Sequence, residues 1–331
     1  MHNIRTIATQ NNNIFNSQDT PKANTSRQSR NISKQFFLIN NETNSHRSKY
    51  TTSDSLYIGN YVNNKRNGQG KLILSDQSYY EGNFIDGLYD GNGYFRNKNY
   101  IYKGEFSKGK KHGKGKLENL LKETVYEGEF KNDMKNGYGI EKYNDGSIYK
   151  GSFKNDQKEG MGVLTLKNNS KYEGQFKQDK ICGKGIFKWN EKKIYNGEWD
   201  NNEISGFGIL IENNVKHIGH FSHDKKEGYG ASFYIDKKFV LIGKWINDVI
   251  EGIAVIFSLD KINGNNNQNI DDNSKNEKIV IMKEGNIIKG RLKEEEISEI
   301  KNNKEYNEMM QLYNEKIICE YNKSININIS S

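Results

Sequence analysis

The chain has 331 residues, of which 33% are hydrophobic, and its 50 Lys and Arg against 42 Asp and Glu give a net charge of +8. No apolar run approaches the about 20 residues that a membrane-spanning helix needs. The two cysteines, Cys182 and Cys319, supply neither a disulfide framework nor a metal-ligand spacing. We therefore expect a reducing, cytoplasmic compartment.

The first 50 residues are rich in Asn, Ser, Thr and Gln and carry one short apolar island at residues 36–39. Such a composition buries too little apolar surface to offset the entropy of the chain. We predict that residues 1–50 are a disordered, basic and polar tail.

Nine copies of one pattern follow between residues 57 and 256. An aromatic residue is followed by a Gly two residues later, a second aromatic two further, and a Gly-x-Gly that starts nine residues after the first Gly. The fifth copy has Tyr149, Gly151, Phe153, Gly160 and Gly162. The first Gly recurs every 22 to 24 residues, and a fixed period of this length is the signature of a repeat architecture.

Each copy predicts a β-hairpin. The first aromatic, the Gly and the second aromatic share one face of a strand, because side chains alternate along it, and residues 62–67 predict a polar six-residue turn. An aromatic ring laid across a cross-strand glycine fills the space that the missing side chain leaves. The prediction is an all-β fold: an elongated, twisted antiparallel ribbon of stacked hairpins over residues 57–257, followed by a C-terminal helix.

The ring-bearing face of the hairpins is also our first candidate for a partner-binding surface. A helix or an extended peptide docks on an apolar strip of this kind. Its signature residues in the first seven copies are Tyr57, Gly59, Tyr61, Tyr80, Gly82, Phe84, Tyr102, Gly104, Phe106, Tyr126, Gly128, Phe130, Tyr149, Gly151, Phe153, Tyr172, Gly174, Phe176, Tyr195, Gly197 and Trp199.

The rhythm ends after residue 257. Residues 258–278 read as an Asn-rich loop, 279–292 as a degenerate last hairpin, and 294–321 as a helix that Asn302 and Asn303 interrupt. We expect this helix either to cover the edge of the last strand or to pair with another chain. Its apolar face consists of Ile297, Ile300, Met309, Met310, Tyr313, Ile317 and Tyr321.

Basic residues are concentrated in the front repeats, where residues 57–189 hold 24 basic and 16 acidic residues. Five lysines fall within nine residues at the third hairpin: Lys108, Lys110, Lys111, Lys114 and Lys116. Such a cluster attracts anionic lipid head groups by about 1 kcal/mol per basic residue. The alternative is a solvated turn whose charges prevent edge pairing of the sheet. No reading helix or regular basic stripe favours nucleic acid as a partner.

No catalytic or cofactor-binding arrangement is recognisable. His217 and His220 face opposite sides of their strand, and no thiolate or clustered carboxylate completes a metal-ligand set with them and His223. The Gly-x-Gly motifs lack the strand–turn–helix context of a phosphate-binding loop, and no Ser/His/Asp or Cys/His arrangement is present. We predict a protein that is not an enzyme and that has no metal or cofactor.

The repeated Tyr-x-Gly-x-aromatic…Gly-x-Gly unit resembles the MORN repeat (membrane occupation and recognition nexus). The resemblance covers residues 57–257, and it departs from the pattern where His217 and Leu241 replace the leading Tyr and Ala254 replaces a Gly. It implies a scaffold fold that is found in junctophilins, radial spoke head proteins, plant phosphoinositide kinases and protist cytoskeletal proteins. Because a fold does not fix a function, several functions stay open.

Our first functional expectation is a non-enzymatic scaffold that binds a protein partner, a helix or an extended peptide, at the cytoskeleton or a membrane–cytoskeleton junction. The alternatives are direct binding of anionic phospholipid, such as phosphoinositides, by the basic front repeats, and a regulatory subunit of a lipid kinase. A homodimer formed through the C-terminal repeats or the helix is a further expectation.

Overall fold

The computed structural model describes residues 48–52, 55–259 and 277–321. The predicted tail lies outside these residues except for its last three positions, which belong to a strand. Residues 260–276 of the predicted loop also lie outside them. The described chain forms two compact units: an N-terminal unit that runs to residue 144 and includes residues 154–156, and a C-terminal unit that holds the remaining residues from 145 onward.

Nine strands form the N-terminal unit, and each pairs antiparallel with the next along the chain. Facing strands align their signature glycines, so that Gly104 lies opposite both Gly93 and Gly115. The strands are β1 Ser48–Thr52, β2 Ser55–Val62, β3 Lys65–Leu74, β4 Tyr79–Ile85, β5 Leu88–Arg96, β6 Tyr100–Ser107, β7 Lys110–Asn119, β8 Thr124–Lys131 and β9 Met134–Lys142.

The C-terminal unit continues the same strand pattern and adds helices at its end. Its strands from β11 to β21 also pair antiparallel in chain order. They are β10 Ile148–Lys154, β11 Gln157–Thr165, β12 Lys171–Lys177, β13 Lys180–Asn190, β14 Lys193–Asp200, β15 Glu203–Glu212, β16 Val215–Ser222, β17 Lys225–Tyr234, β18 Phe239–Ile246, β19 Val249–Ser258, β20 Lys278–Lys283 and β21 Asn286–Lys289. We number the repeats 1 to 9, from β2–β3 to β18–β19.

The turn within a repeat has two residues, and the prediction of six was wrong. In repeat 4, Asn132 and Asp133 have φ values of 51° and 72°, which Asn and Asp tolerate and which a type I′ turn requires. Residues that were predicted to lie in the loop form strand pairs, as Lys131 does with Met134. A register shift between Gly128 and Phe130 is a β-bulge, which accommodates the unequal lengths of the two strands.

The core is a row of aromatic rings along one face of the hairpins. Within repeat 3, the Tyr102 ring meets the Phe106 ring edge-to-face at a centroid distance of 5.0 Å, and it meets Phe130 of repeat 4 in the same way at 5.1 Å. Edge-to-face pairs stabilise by about 0.5–1.5 kcal/mol beyond the area they bury. The same contact joins Tyr149 to Phe176 and Tyr195 to Phe221, so ring contacts link neighbouring repeats within each unit.

The C-terminal helical segment has three parts, with α1 at Glu294–Lys301, α2 at Lys304–Leu312 and a π-helix at Tyr313–Ile317. The helix is interrupted between Lys301 and Lys304, as predicted at Asn302 and Asn303. Asn303 is the N-cap of α2, because its side chain accepts a hydrogen bond from the Glu305 N–H at 2.7 Å. The predicted apolar face is buried against Ile218, Phe233 and Ile242 of repeats 8 and 9. The helix therefore covers a face of the sheet, and the expectation that it covers a strand edge was wrong.

Within the described residues, no helix is both long and apolar enough to cross a membrane.

Candidate functional site

The signature rings hold the repeats together, and all of them except Tyr61 are buried. The first-position rings of repeats 1 to 7 are at most 2% exposed, and Phe106 is the most exposed buried ring of the second position at 7%. Each leading hydroxyl also donates a hydrogen bond to the carbonyl three residues on, as Tyr149 does to Ser152 at 3.0 Å.

The face predicted to bind a partner is therefore buried in the core, apart from Tyr61. It was assigned to Tyr57, Tyr61, Tyr80, Phe84, Tyr102, Phe106, Tyr126, Phe130, Tyr149, Phe153, Tyr172, Phe176, Tyr195 and Trp199, together with their glycines. Of these rings only Tyr61 is exposed. We call the opposite side of the sheet the outer face.

The five lysines of repeat 3 divide between the two faces. Lys108, Lys110, Lys114 and Lys116 are exposed. Lys111 points to the core: its ammonium lies 5.0 Å from the Tyr100 ring centroid and 4.0 Å from the Asp133 carboxylate. Burial lowers the pKa of Lys111, which Asp133 partly offsets. Lys111 is therefore removed from the predicted head-group set, and four lysines remain.

A groove on the outer face of the N-terminal unit, with a volume of about 620 Å³, crosses repeats 3 and 4. Gly104, Gly115 and Gly128 contribute backbone to its floor. A side chain at these positions would point to the opposite, ring-bearing face, where the Tyr102 and Tyr126 rings lie. The register places Lys103 opposite Lys116 and Glu127 opposite both Lys116 and Ile140. The groove is lined by Asn92, Lys103, Gly104, Lys114, Gly115, Lys116, Glu127, Gly128, Glu129, Tyr138 and Ile140.

The charges of the groove are unevenly satisfied. The Glu129 carboxylate accepts the Tyr138 backbone N–H at 3.1 Å, and the Lys116 ammonium bonds Glu118 at 2.6 Å. Among the described residues, the ammonium groups of Lys103 and Lys114 have no carboxylate within ion-pair distance. Tyr138, 58% exposed, adds an uncovered aromatic ring. The groove thus offers two unpaired cations beside an apolar wall.

Two structural features escaped sequence reasoning, and the first is a clip between the turns of successive repeats. The Ile204 N–H donates to the Asp224 carboxylate at 2.8 Å, and the Asp224 N–H donates back to the Ile204 carbonyl at 3.1 Å. Equivalent pairs of bonds are Lys111–Asp133, Lys135–Asp156, Lys158–Asp179, Ile181–Asn202 and Lys226–Asp248. The recurring Asn or Asp at the second turn position was the available signal.

The second is a pair of polar clusters in the core. Glu141 occupies a slot that is apolar in most repeats, and it bonds Lys135 and the Tyr143 hydroxyl. In repeat 8, His217 replaces the leading Tyr and bonds the Ser232 hydroxyl at 2.9 Å. Burial holds the His217 pKa well below its usual range. His223 instead bonds Glu203 at 2.7 Å, so the structure does not bring these two histidines together.

Comparison with known proteins gives a family and little else. No curated protein sequence matches the chain significantly. Two solved Drosophila melanogaster structures are similar to parts of it at 14% identity: the TCP domain of SAS-4 (dCPAP) in complex with a proline-rich motif of Ana2 (dSTIL), and the TCP10c domain of Sas-4. The first covers 56% of this chain and 99% of its own with a TM-score of 0.31, and the second covers 53% and 99% with a TM-score of 0.25. These values carry no argument about function.

The MORN repeat family matches eight segments of the chain: residues 57–79, 80–100, 102–118, 126–148, 149–171, 172–191, 195–211 and 217–234. The ninth hairpin, β18–β19, keeps the fold although the family pattern does not match it. There Gly243 faces Ala254, and Leu241 stands where the leading Tyr would be. With the glycine register, the buried rings and these matches in agreement, the chain belongs to the MORN repeat family.

Proposed function

We propose that the chain is a non-enzymatic scaffold that holds a segment of a protein partner in the outer-face groove of repeats 3 and 4, at the cytoskeleton or a membrane–cytoskeleton junction. The observation that carries the proposal is the uncovered groove itself, with Tyr138 on its wall and the Lys103 and Lys114 ammonium groups unpaired. Membership of the MORN repeat family supports a scaffold in place of an enzyme.

The chemistry of the groove favours an acidic helix or extended segment. A carboxylate of the partner would reach the lysines, and an apolar side chain would pack on Tyr138 and Ile140. Burying an aromatic ring together with a charge-assisted hydrogen bond is the usual composition of a binding hot spot.

The test compares partners captured by proximity labelling with the wild type and with a Lys103→Glu, Lys114→Glu, Tyr138→Ser variant. We expect a defined set of partners to be lost from the variant, while its thermal unfolding midpoint stays close to the wild-type value because all three side chains are exposed. The control reverses two exposed lysines elsewhere, Lys154→Glu and Lys167→Glu. Identical partner sets for the wild type and the groove variant would refute the proposal.

A second candidate function is binding of anionic phospholipid, which the exposure of Lys108, Lys110, Lys114 and Lys116 favours. Replacing all four by Gln should weaken binding to anionic liposomes at low salt by up to about 4 kcal/mol, at about 1 kcal/mol per basic residue. Sedimentation with the liposomes measures this binding. The effect should shrink as salt rises, because exposed charges are screened beyond about 8 Å at physiological ionic strength.

The matched control replaces four other exposed lysines by Gln: Lys142, Lys154, Lys167 and Lys177. It changes the net charge equally, so an equal loss would indicate attraction without a site. If the wild type does not sediment with anionic liposomes at low salt, this second candidate fails and the protein-binding proposal is untouched.

A further inference from the structure

The outer face of the C-terminal unit is covered over repeats 8 and 9 by the chain's own helical segment. The Tyr321 ring stacks on Phe233 at a centroid distance of 4.1 Å, and the Tyr313 ring stacks on Phe257 at 5.9 Å. The cover reaches repeat 7, where the Lys316 ammonium lies 3.7 Å from the Phe207 ring centroid. This is an interface between an amphipathic helix and the outer face of the repeats.

Beyond that interface, four apolar side chains on the outer face are exposed or half-buried. Met161 and Ile186 are 59% and 45% exposed, and Val163 and Ile194 are half-buried. We call these four residues the outer strip.

The outer strip lies in register with the covered face, along a cross-strand row in which apolar and polar residues alternate. The row runs from Val163 through Glu173 to Ile186, and from there through Asn196 to Ile209, whose side chain packs against the helix-covered cluster. The Glu173 carboxylate is paired with Lys171 at 3.0 Å. Met161 and Val163 also occupy the same two positions of repeat 5 that Phe207 and Ile209 occupy in repeat 7.

We propose that the outer strip docks an amphipathic helix of a partner protein, one that carries acidic residues beside its apolar face. The chain's own helix shows which chemistry these repeat positions accept. The strip spans β11 to β14, about 14 Å at about 4.8 Å per strand, which matches one helix of about 10–12 Å diameter.

Two lysines beside the outer strip indicate that the partner helix carries acidic residues along the edge of its apolar face. Lys150 and Lys184 are exposed on the outer face of the same repeats, and among the described residues neither ammonium group has a carboxylate within ion-pair distance. The covered part of the face uses such a pair already, since Lys244 lies 4.0 Å from Glu305 of α2. Lys150 and Lys184 would hold acidic residues of the partner in the same way. This site lies in the other unit from the groove of repeats 3 and 4 and does not depend on it.

The test uses a fluorescein-labelled synthetic peptide of residues 304–321 as the probe, because Tyr306, Met309 and Ile317 give it the required apolar face and Glu305 and Glu308 the acidic flank. Fluorescence anisotropy would measure its binding to the full chain. We expect Met161→Ser with Ile186→Ser to weaken binding at least tenfold, and Lys150→Glu with Lys184→Glu to weaken it more at low salt than at high salt.

Two matched controls keep the test specific. Ile85→Ser with Ile246→Ser removes two equally exposed apolar residues elsewhere and should leave binding unchanged. Lys103→Glu with Lys114→Glu disables the groove of repeats 3 and 4, so unchanged binding there separates this proposal from the proposed function. A wild-type protein that does not bind the probe, or a strip variant that binds it as the wild type does, overturns the proposal.

Two other occupants give distinct results. If the probe binds only after residues 322–331 are removed, the chain's own end fills the strip and the proposal is wrong. If sedimentation shows a wild-type dimer that Met161→Ser with Ile186→Ser converts to a monomer, a second copy fills it and the proposal is also wrong.

Discussion

At the scale of single residues, the glycines of the repeats are fixed by the tyrosine rings that lie on them. A Cβ added at Gly151 would lie 2.5 Å from the Tyr149 hydroxyl oxygen and 2.6 Å from the Gly162 Cα. We expect Gly151→Val to destabilise the protein by more than about 2 kcal/mol, as overpacking of a buried site does. Urea unfolding measures the change.

The control for this prediction is Lys154→Ala, three residues away on the same strand. Lys154 is exposed, and substitutions at such positions usually change stability by less than about 0.5 kcal/mol. Equal losses for the two variants would contradict the assignment of Gly151 to a ring-filled site.

His217 makes stability depend on pH. Its pKa is lowered in the folded state by burial and, to a smaller extent, by Lys226, whereas an unfolded histidine has a pKa of about 6.5. Protons therefore bind the unfolded chain first, so the contribution of neutral His217 is complete above about pH 6.5 and is lost as the pH falls below it.

His217→Tyr restores the residue of the other repeats and removes this titration. We expect the loss of unfolding midpoint between pH 7.5 and pH 5 to be smaller in the variant than in the wild type. Lys167→Gln, at an exposed position, should keep the wild-type loss. The prediction fails if His217→Tyr loses as much on acidification as the wild type.

At the scale of elements, the clips between turns join one hairpin to the next. Asp224 supplies the acceptor for the Ile204 N–H, and in the preceding turn Asn202 supplies it for the Ile181 N–H. Asp224→Asn should therefore change stability little. Asp224→Ala should cost about 1–3 kcal/mol, because it leaves a buried N–H without its partner. Thermal unfolding midpoints of the two variants measure the difference. Similar losses of stability in both would show that the side-chain acceptor at position 224 does not stabilise the turn.

The elements themselves were predictable to a large degree because glycine spacing and side-chain parity are local. The hairpins and the helix face are confirmed. Side-chain alternation also predicts that Lys111 is buried, since it lies four residues before Gly115 on the same strand face. The five neighbouring lysines had instead suggested an exposed cluster. The two-residue turns, the clips and the docking of the helix on the sheet face depend on backbone register and on contacts between distant residues, which a repeat pattern does not specify.

At the scale of the whole molecule, the helical cover protects the end of the described sheet from water. Met309 and Ile317 are 2% and 1% exposed against repeats 8 and 9. Met309→Ser with Ile317→Ser should speed hydrogen exchange in β17 and β18 and lower the unfolding midpoint, because buried apolar side chains contribute about 1.5–3 kcal/mol each. Cys319→Ser, an exposed change on the same segment, should do neither. Unchanged exchange in β17 and β18 would show that the cover does not stabilise these strands.

The clips also imply that the front of the N-terminal unit is mechanically weaker than its later turns. Gly87 and Gly109 donate their N–H groups to the Arg66 and Tyr89 carbonyls at 2.9 and 2.8 Å, but a glycine has no side chain to accept the return bond. From Asp133 to Asp248 both bonds are present. A force that peels strands from the N-terminal end would therefore meet a low resistance over the first turns and a step upward at repeat 4, so the N-terminal unit would yield first at its leading hairpins under tension.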